Sequence, residues 1–219
     1  MTSNSPPARA PRYWKVLDAN GRACHGGAFQ YDLPTWHRTK GWVPGAWTPR
    51  IADVKACTRG YHVCRDDDLL YWLHERIYLC EVRGSTIAED NKVVAESVRL
   101  LMPTPWDAVS ARLFAVECVA DVLSPYEAQH PNDARVSDCL EVAYRFALGD
   151  ASDNDRAAAR AAADSAAYAA AGAAAYAAAD SAAYTAAGAA ARAAARAAAE
   201  SAAWTAQTQR LLWWMGVTV

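Results

Sequence analysis

No two cysteines in this 219-residue chain are separated by fewer than six residues, and the six present are Cys24, Cys57, Cys64, Cys80, Cys118 and Cys139. A closed zinc site draws on four nitrogen or sulfur ligands, usually in tight pairs such as C-x2-C, and that pairing is missing. Also absent are a phosphate-cradling P-loop, a dinucleotide glycine fingerprint and the paired-histidine helix of zinc proteases. The opening MTSNSPPARAPRYW has no apolar core and is rich in Pro, Ser and Arg, so residues 1–12 are expected to form a disordered leader rather than a secretory signal. The long alanine tract is interrupted by Arg, Asp and Tyr, which argues against a membrane span. These absences predict a cytoplasmic protein with free thiols, no resident metal or cofactor and no membrane partner.

Net charge is small, −2, but unevenly spread. Residues 1–65 hold ten Lys or Arg and three Asp or Glu, a balance of +7, and the remainder carries −9. The basic third also holds Trp14, Trp36, Trp42 and Trp47. A basic, aromatic block suits an anionic partner, and equally it could face the acidic remainder across an internal interface. The overall acidity argues against wrapping a nucleic-acid duplex.

The pattern predicts an α+β protein: a small mixed or antiparallel sheet domain over 13–102, amphipathic helices over 106–149, and an alanine-rich region over 150–219. Tyr13 to Leu17 reads as a strand, with a hairpin-type turn at Asp18–Gly21. Four turn formers make 34–52 a long irregular loop. Tyr61 to Cys64 reads as a strand, followed by a helix that Asp66, Asp67 and Asp68 cap and that carries Leu69, Leu70, Trp72 and Leu73. Ile77 to Val82 is a strand ended by Gly84, and Lys92 to Leu101 is a third candidate. Helices follow over 107–123 and 133–148, the second ending at Gly149.

From Arg156 to Trp204 every fourth position carries a non-alanine residue, and the block at 161–176 returns at 177–192. Alanine favours helix. Four residues advance about 400° on an α-helix, so each tetrad slips by about 40°. Several short helices packed through alanine faces fit this drift better than one long helix. Such helices offer a route to a homo-oligomer. The tail Leu211-Leu-Trp-Trp-Met215 is strongly apolar and is expected to be buried, on this chain or against a partner.

The stretch CTRGYHVC at 57–64 raises three chemistries. His62 and Cys64 share one side of a strand, but a metal site would need distant ligands. A cysteine nucleophile would need His62 or His25 as its base, and nothing local fixes that geometry. Buried free thiols are the expected state. Glu81 on its strand either faces water or, turned inward, requires a partner or a ligand.

ACHGGAFQYDLP at 23–34, the C-x-x-G-Y-H-V-C stretch, YLCEVRG and AEDNKVV at 88–94 resemble the DUF7666-like family of phage and prophage proteins. DCLEVAYRFALGD at 138–150, the alanine array and QTQRLLWW resemble the helical tails of related phage proteins. The Gly-Tyr strand, the helix after it and the YLCEV strand also resemble the core of the ADP-ribosyltransferases. That likeness implies a nicotinamide pocket near Gly60 and Tyr61 and a catalytic glutamate such as Glu81 or Glu96. Apart from the likeness, Glu81 and His62 are the catalytic candidates if the protein is an enzyme.

Three functions follow as expectations. The leading one is an accessory protein that binds a nucleotide-like anion. Trp42 and Trp47 would stack on the base, Arg22, Arg38, Lys40 and Arg59 would meet phosphate, and His25, Tyr61 and His62 would add contacts. In a phage setting this implies sequestration of a host defence signal. The second is an enzyme acting on a nicotinamide dinucleotide. The third is an oligomeric scaffold built on the alanine helices.

Overall fold

The computed structural model describes residues 11–24, 27–120, 123, 127–128, 130–162 and 201–217. Residues 1–10 of the leader, His25 and most of the alanine tetrad array therefore lie outside the described residues, as does the choice between one array helix and several. The chain divides into two units: one runs to Asp107 and includes the segment from Leu211 onward, and the other is Ala108–Arg210.

The first unit is built on antiparallel strands. Strands β1 (Tyr13–Leu17), β4 (Tyr61–Val63), β5 (Arg76–Glu89) and β6 (Lys92–Pro103) form one sheet in the order β1-β5-β6-β4, and β2 (Thr35–His37) pairs with β3 (Gly41–Val43) in a separate hairpin. The long β5–β6 hairpin dominates, with register running from Glu89–Lys92 to Tyr78–Pro103. Its two edges meet. Trp14 and Cys64 exchange both backbone hydrogen bonds at 2.8 Å, so β1 and β4 close the sheet on itself at one bridge. One face packs Leu17, Tyr61, Val63, Tyr78, Cys80, Val93, Ala95, Val98 and Leu100 around Tyr31.

Several local expectations are corrected. Gly84 does not end β5. The strand continues to Glu89 through an irregularity between Arg83 and Thr86, where Gly84 has φ +86° and its Cα lies against the Glu96 side chain. Glycine suits such a bulge because it tolerates positive φ and leaves room for a neighbour. Residues 34–52 are not irregular throughout. They hold the β2–β3 hairpin and then run beside β6, with Gly45, Thr48 and Ile51 donating to the carbonyls of Leu100, Val98 and Glu96 at 2.9–3.0 Å. This segment satisfies the part of the β6 edge that the short β4 leaves unpaired.

The turn after β4 is a six-residue 3-10 helix, Asp66–Tyr71, rather than an α-helix reaching Leu73. Asp68 accepts from the backbone N–H of Arg65 at 2.9 Å and from its guanidinium at 2.7 Å, and Leu69 is fully buried. Asp66 is committed elsewhere, accepting from Trp14 Nε1 at 2.6 Å and from Arg12.

In the second unit, α1 (Ala108–Ala120) packs on α2 (Arg135–Leu148), which ends as expected at Gly149 with φ +87°. A further helix spans 153–162, and residues 201–214 are helical. In the tail, which belongs to the first unit, Leu211, Leu212 and Met215 are buried and Trp213 is 68% exposed, so the apolar tail is only partly covered. Among the described residues, no helix is long and apolar enough to cross a membrane.

Candidate functional site

A cleft of about 980 Å³ opens in the sheet unit beside β4. It forms because β1 and β4 pair at a single bridge. Beyond that bridge, side chains satisfy the backbone groups along the seam. The carbonyl of His62 accepts from Lys15 Nζ at 2.7 Å, and the carbonyl of Val16 faces the Cys24 thiol at 3.8 Å. Lys15, Val16, Cys24, His62 and Cys64 all line the cleft.

The CTRGYHVC stretch supplies much of the wall. Lys55 and Arg59 close a tight loop, exchanging backbone hydrogen bonds at 2.7 and 2.9 Å, with Cys57 at its tip in the left-handed region at φ +60°. Gly60 follows at φ +126°, where an added Cβ would sit 2.6 Å from Val94 Cγ1, so close approach and conformation both call for glycine. Tyr61 then points into the core and its hydroxyl donates to the Pro49 carbonyl at 3.0 Å. Cys24, Cys57 and Cys64 do come to one cleft. Among the described residues, however, no group of three His, Cys, Asp or Glu is placed to hold a metal ion.

Two features define the chemistry of the cleft. Its lining includes Lys15, Arg50, Arg59, His62 and Lys92, and no carboxylate among the described residues. It also includes four rings: Phe29 lies edge-on to Tyr31 at 5.0 Å and to Tyr61 at 5.3 Å, and Trp72 carries the Lys92 ammonium 5.1 Å from its ring centre. The five cationic or titratable groups differ in availability. Arg50 is bound to Glu96 at 2.7 Å, and this holds the Glu96 carboxyl below its usual range. Lys15 is pushed down by burial, which disfavours the ammonium. His62 is pushed down by burial, with Lys15 and Lys92 adding repulsion, and its buried Nε2 has no hydrogen-bond partner among the described residues.

Of the residues singled out in the sequence, Arg59, Tyr61 and His62 come together in this cleft. The others fall elsewhere. Arg22 is exposed and donates to Gln30 at 3.1 Å. Arg38 and Lys40 lie on the exposed turn of the β2–β3 hairpin, where Trp42 sits edge-on to Trp36 at 5.5 Å. Trp47 is already covered, with the guanidinium carbons of Arg83 and Arg99 at 4.4 and 4.9 Å from its ring centre. Glu81 is bound to Arg99 at 2.7 Å with its side chain 45% exposed, and it does not line the cleft. Trp42 and Trp47 thus meet other side chains, and neither of them nor Glu81 lines the cleft with Tyr61 and His62.

Sequence reasoning passed over Lys15, Phe29, Tyr31, Trp72 and Lys92. A signal existed for Lys15. In YWKVL it shares the strand face of Leu17, a core residue, and of Tyr13, which packs against the core, so its strand position points it inward.

No family model, curated protein or solved structure matches the chain.

Proposed function

We propose that the sheet unit binds a small nucleotide-type anion in the cleft beside β4 and holds it without turning it over. The observation that carries this reading is the lining: cationic groups and aromatic rings, with no carboxylate among the described residues. A phosphate gains charge-assisted hydrogen bonds from guanidinium and ammonium groups, and a nearby carboxylate would oppose it. Arg59 and Lys92 supply the charge, and the exposed ring of Phe29 offers a stacking surface for a base. The volume lies within the range of small-molecule sites. In the phage setting implied by the sequence resemblance, such holding withdraws a host signalling nucleotide.

The test is a mass balance. Purified protein is incubated with a mixed nucleotide panel including nicotinamide dinucleotide and cyclic oligonucleotides, then filtered, and the free and heat-released pools are analysed by mass spectrometry. The expected result is a phosphate-bearing compound missing from the free pool and recovered intact, with affinity falling as salt rises. Arg59→Ala should weaken binding by about tenfold or more, since a hydrogen bond to a charged group contributes about 1.5–3 kcal/mol. Arg38→Ala, Lys40→Ala and Trp42→Ala should leave it unchanged. Conversion of the compound, or full affinity in Arg59→Ala, overturns the proposal.

A further inference from the structure

Lys15 occupies a position that lysine rarely takes. Its residue is 8% exposed, on a strand whose neighbours Trp14, Val16 and Leu17 are all buried. Its Nζ donates to the His62 carbonyl at 2.7 Å and lies 5.0 Å from the centre of the Tyr31 ring. Neither neighbour carries a negative charge. Burying an ammonium without a counter-ion costs several kcal/mol, and proteins relieve that cost by releasing the proton.

The surrounding titratable groups do not reverse this. The thiols of Cys80, Cys64 and Cys24 would favour the ammonium only as thiolates. Burial pushes all three upward, Cys64 to about 12, so at neutral pH they stay protonated and supply no charge. From β4 and β6, His62 and Lys92 offer no anion either, and Tyr31 is pushed far up by burial and remains a phenol. Lys15 nevertheless lines the cleft, which places this buried side chain beside the space a ligand would fill.

We propose that Lys15 is a nucleophilic amine that captures an aldehyde as an imine, and that the cleft selects aromatic aldehydes carrying a phosphate. The ring and phosphate preference rests on the anion-binding reading above, whereas the amine rests on its own surroundings. The Nζ lone pair forms the new bond to the carbonyl carbon. The carbonyl oxygen leaves as water, taking both amine hydrogens, and a C=N bond replaces C=O. No oxidant, reductant or co-reactant is consumed. The imine gives up the hydrogen bond to His62, whose carbonyl then faces the cleft.

The chain has four lysines, Lys15, Lys40, Lys55 and Lys92, so the experiment reads directly on the full-length wild-type protein. It is incubated at neutral pH with pyridoxal 5′-phosphate as probe, reduced with borohydride, digested and mapped by mass spectrometry. A parallel sample receives pyridoxal, which lacks the phosphate. The expected result is a reduced adduct on Lys15 at least about tenfold above each other lysine, as for an amine activated by desolvation, and weaker labelling by pyridoxal. Adducts spread over Lys40, Lys55 and Lys92 with Lys15 unmodified overturn the proposal. If the nucleotide panel shows binding while Lys15 stays unmodified, the imine fails and the anion site stands. If Lys15 is labelled equally by both aldehydes and no nucleotide is held, the nucleophile stands and its phosphate preference is overturned.

Discussion

Two regions of the sheet unit carry the same residue types and differ in what those residues can still do. Around Trp47, the Arg83 and Arg99 guanidiniums lie on the ring and Arg99 is bound to Glu81. Charge and ring are used up among themselves. In the cleft beside β4, Arg59 and Lys92 share a wall with Phe29, Tyr31 and Tyr61, and no carboxylate among the described residues lines it. Composition alone does not separate the two regions. The difference lies in the kind of partner the fold supplies: Arg99 is held by the Glu81 carboxylate, whereas Lys92 rests on the neutral Trp72 ring and keeps its charge for an external anion. The following substitutions test that contrast, beginning with the one expected to disturb the molecule most.

Gly60→Ala should destabilise the sheet unit by about 2–4 kcal/mol, combining strain at a positive φ with overpacking. The new Cβ would meet Val94 Cγ1 at 2.6 Å and Val54 Cγ1 at 3.1 Å. Denaturant unfolding measures the loss, and a change below about 0.5 kcal/mol would mean that the wall of the cleft yields to a methyl group. Any ligand bound in the cleft should weaken in parallel, because Arg59 and Tyr61 flank this position.

Phe29→Ala should act on binding more than on folding. The residue is 37% exposed, and its ring makes T-shaped contacts with Tyr31 and Tyr61. Losing a stacking surface costs a bound base about 1–3 kcal/mol. Titration of the retained nucleotide against wild type and variant checks this, with Trp36→Ala on the hairpin as the comparison expected to leave affinity unchanged.

The architecture was legible where local pattern and tertiary context agree. Tyr13–Leu17, Tyr61–Val63 and the helix ending at Gly149 follow from alternation, turn residues and a left-handed cap. It was illegible where a long-range partner decides. Gly84 reads as a strand end because glycine is a poor strand residue, yet the Glu96 side chain needs the room it leaves. Residues 45–51 read as loop because of Gly45, Pro49 and the preceding Pro44, yet the open edge of β6 holds them. The cleft was half legible, through Arg59, Tyr61 and His62, which follow one another closely in sequence. Its other half, Lys15, Phe29 and Lys92, comes from three separate segments that long-range pairing of the strands brings to one cleft.

Acid should separate the two regions without any ligand. Because the folded His62 is held below its ordinary value of 6.5, the unfolded chain binds more protons in that window. Stability is therefore intact above about pH 6.5 and declines as pH falls toward the folded value. Thermal unfolding of wild type between about pH 7 and pH 5 should show that decline, and His62→Gln should flatten the part due to this group. Identical slopes in the two proteins would place the acid sensitivity elsewhere.

Glu81→Gln should have the smallest effect, and for that reason it discriminates well. The ion pair with Arg99 is partly solvated, with the two side chains 45% and 34% exposed, and pairs of this kind contribute about 0–1 kcal/mol. Removing the charge leaves Arg99 on the Trp47 ring, where the stacking geometry does not depend on the carboxylate. The expected outcome is a stability change under about 1 kcal/mol and unaltered retention of any nucleotide in the cleft. A glutamate that stabilises an oxocarbenium-like centre would behave differently: its amide variant would fold normally and lose turnover by orders of magnitude. Turnover of nicotinamide dinucleotide by the wild-type protein that disappears in Glu81→Gln would mean that Glu81 leaves Arg99 to act, and the partition between a committed face and an available one would then be wrong.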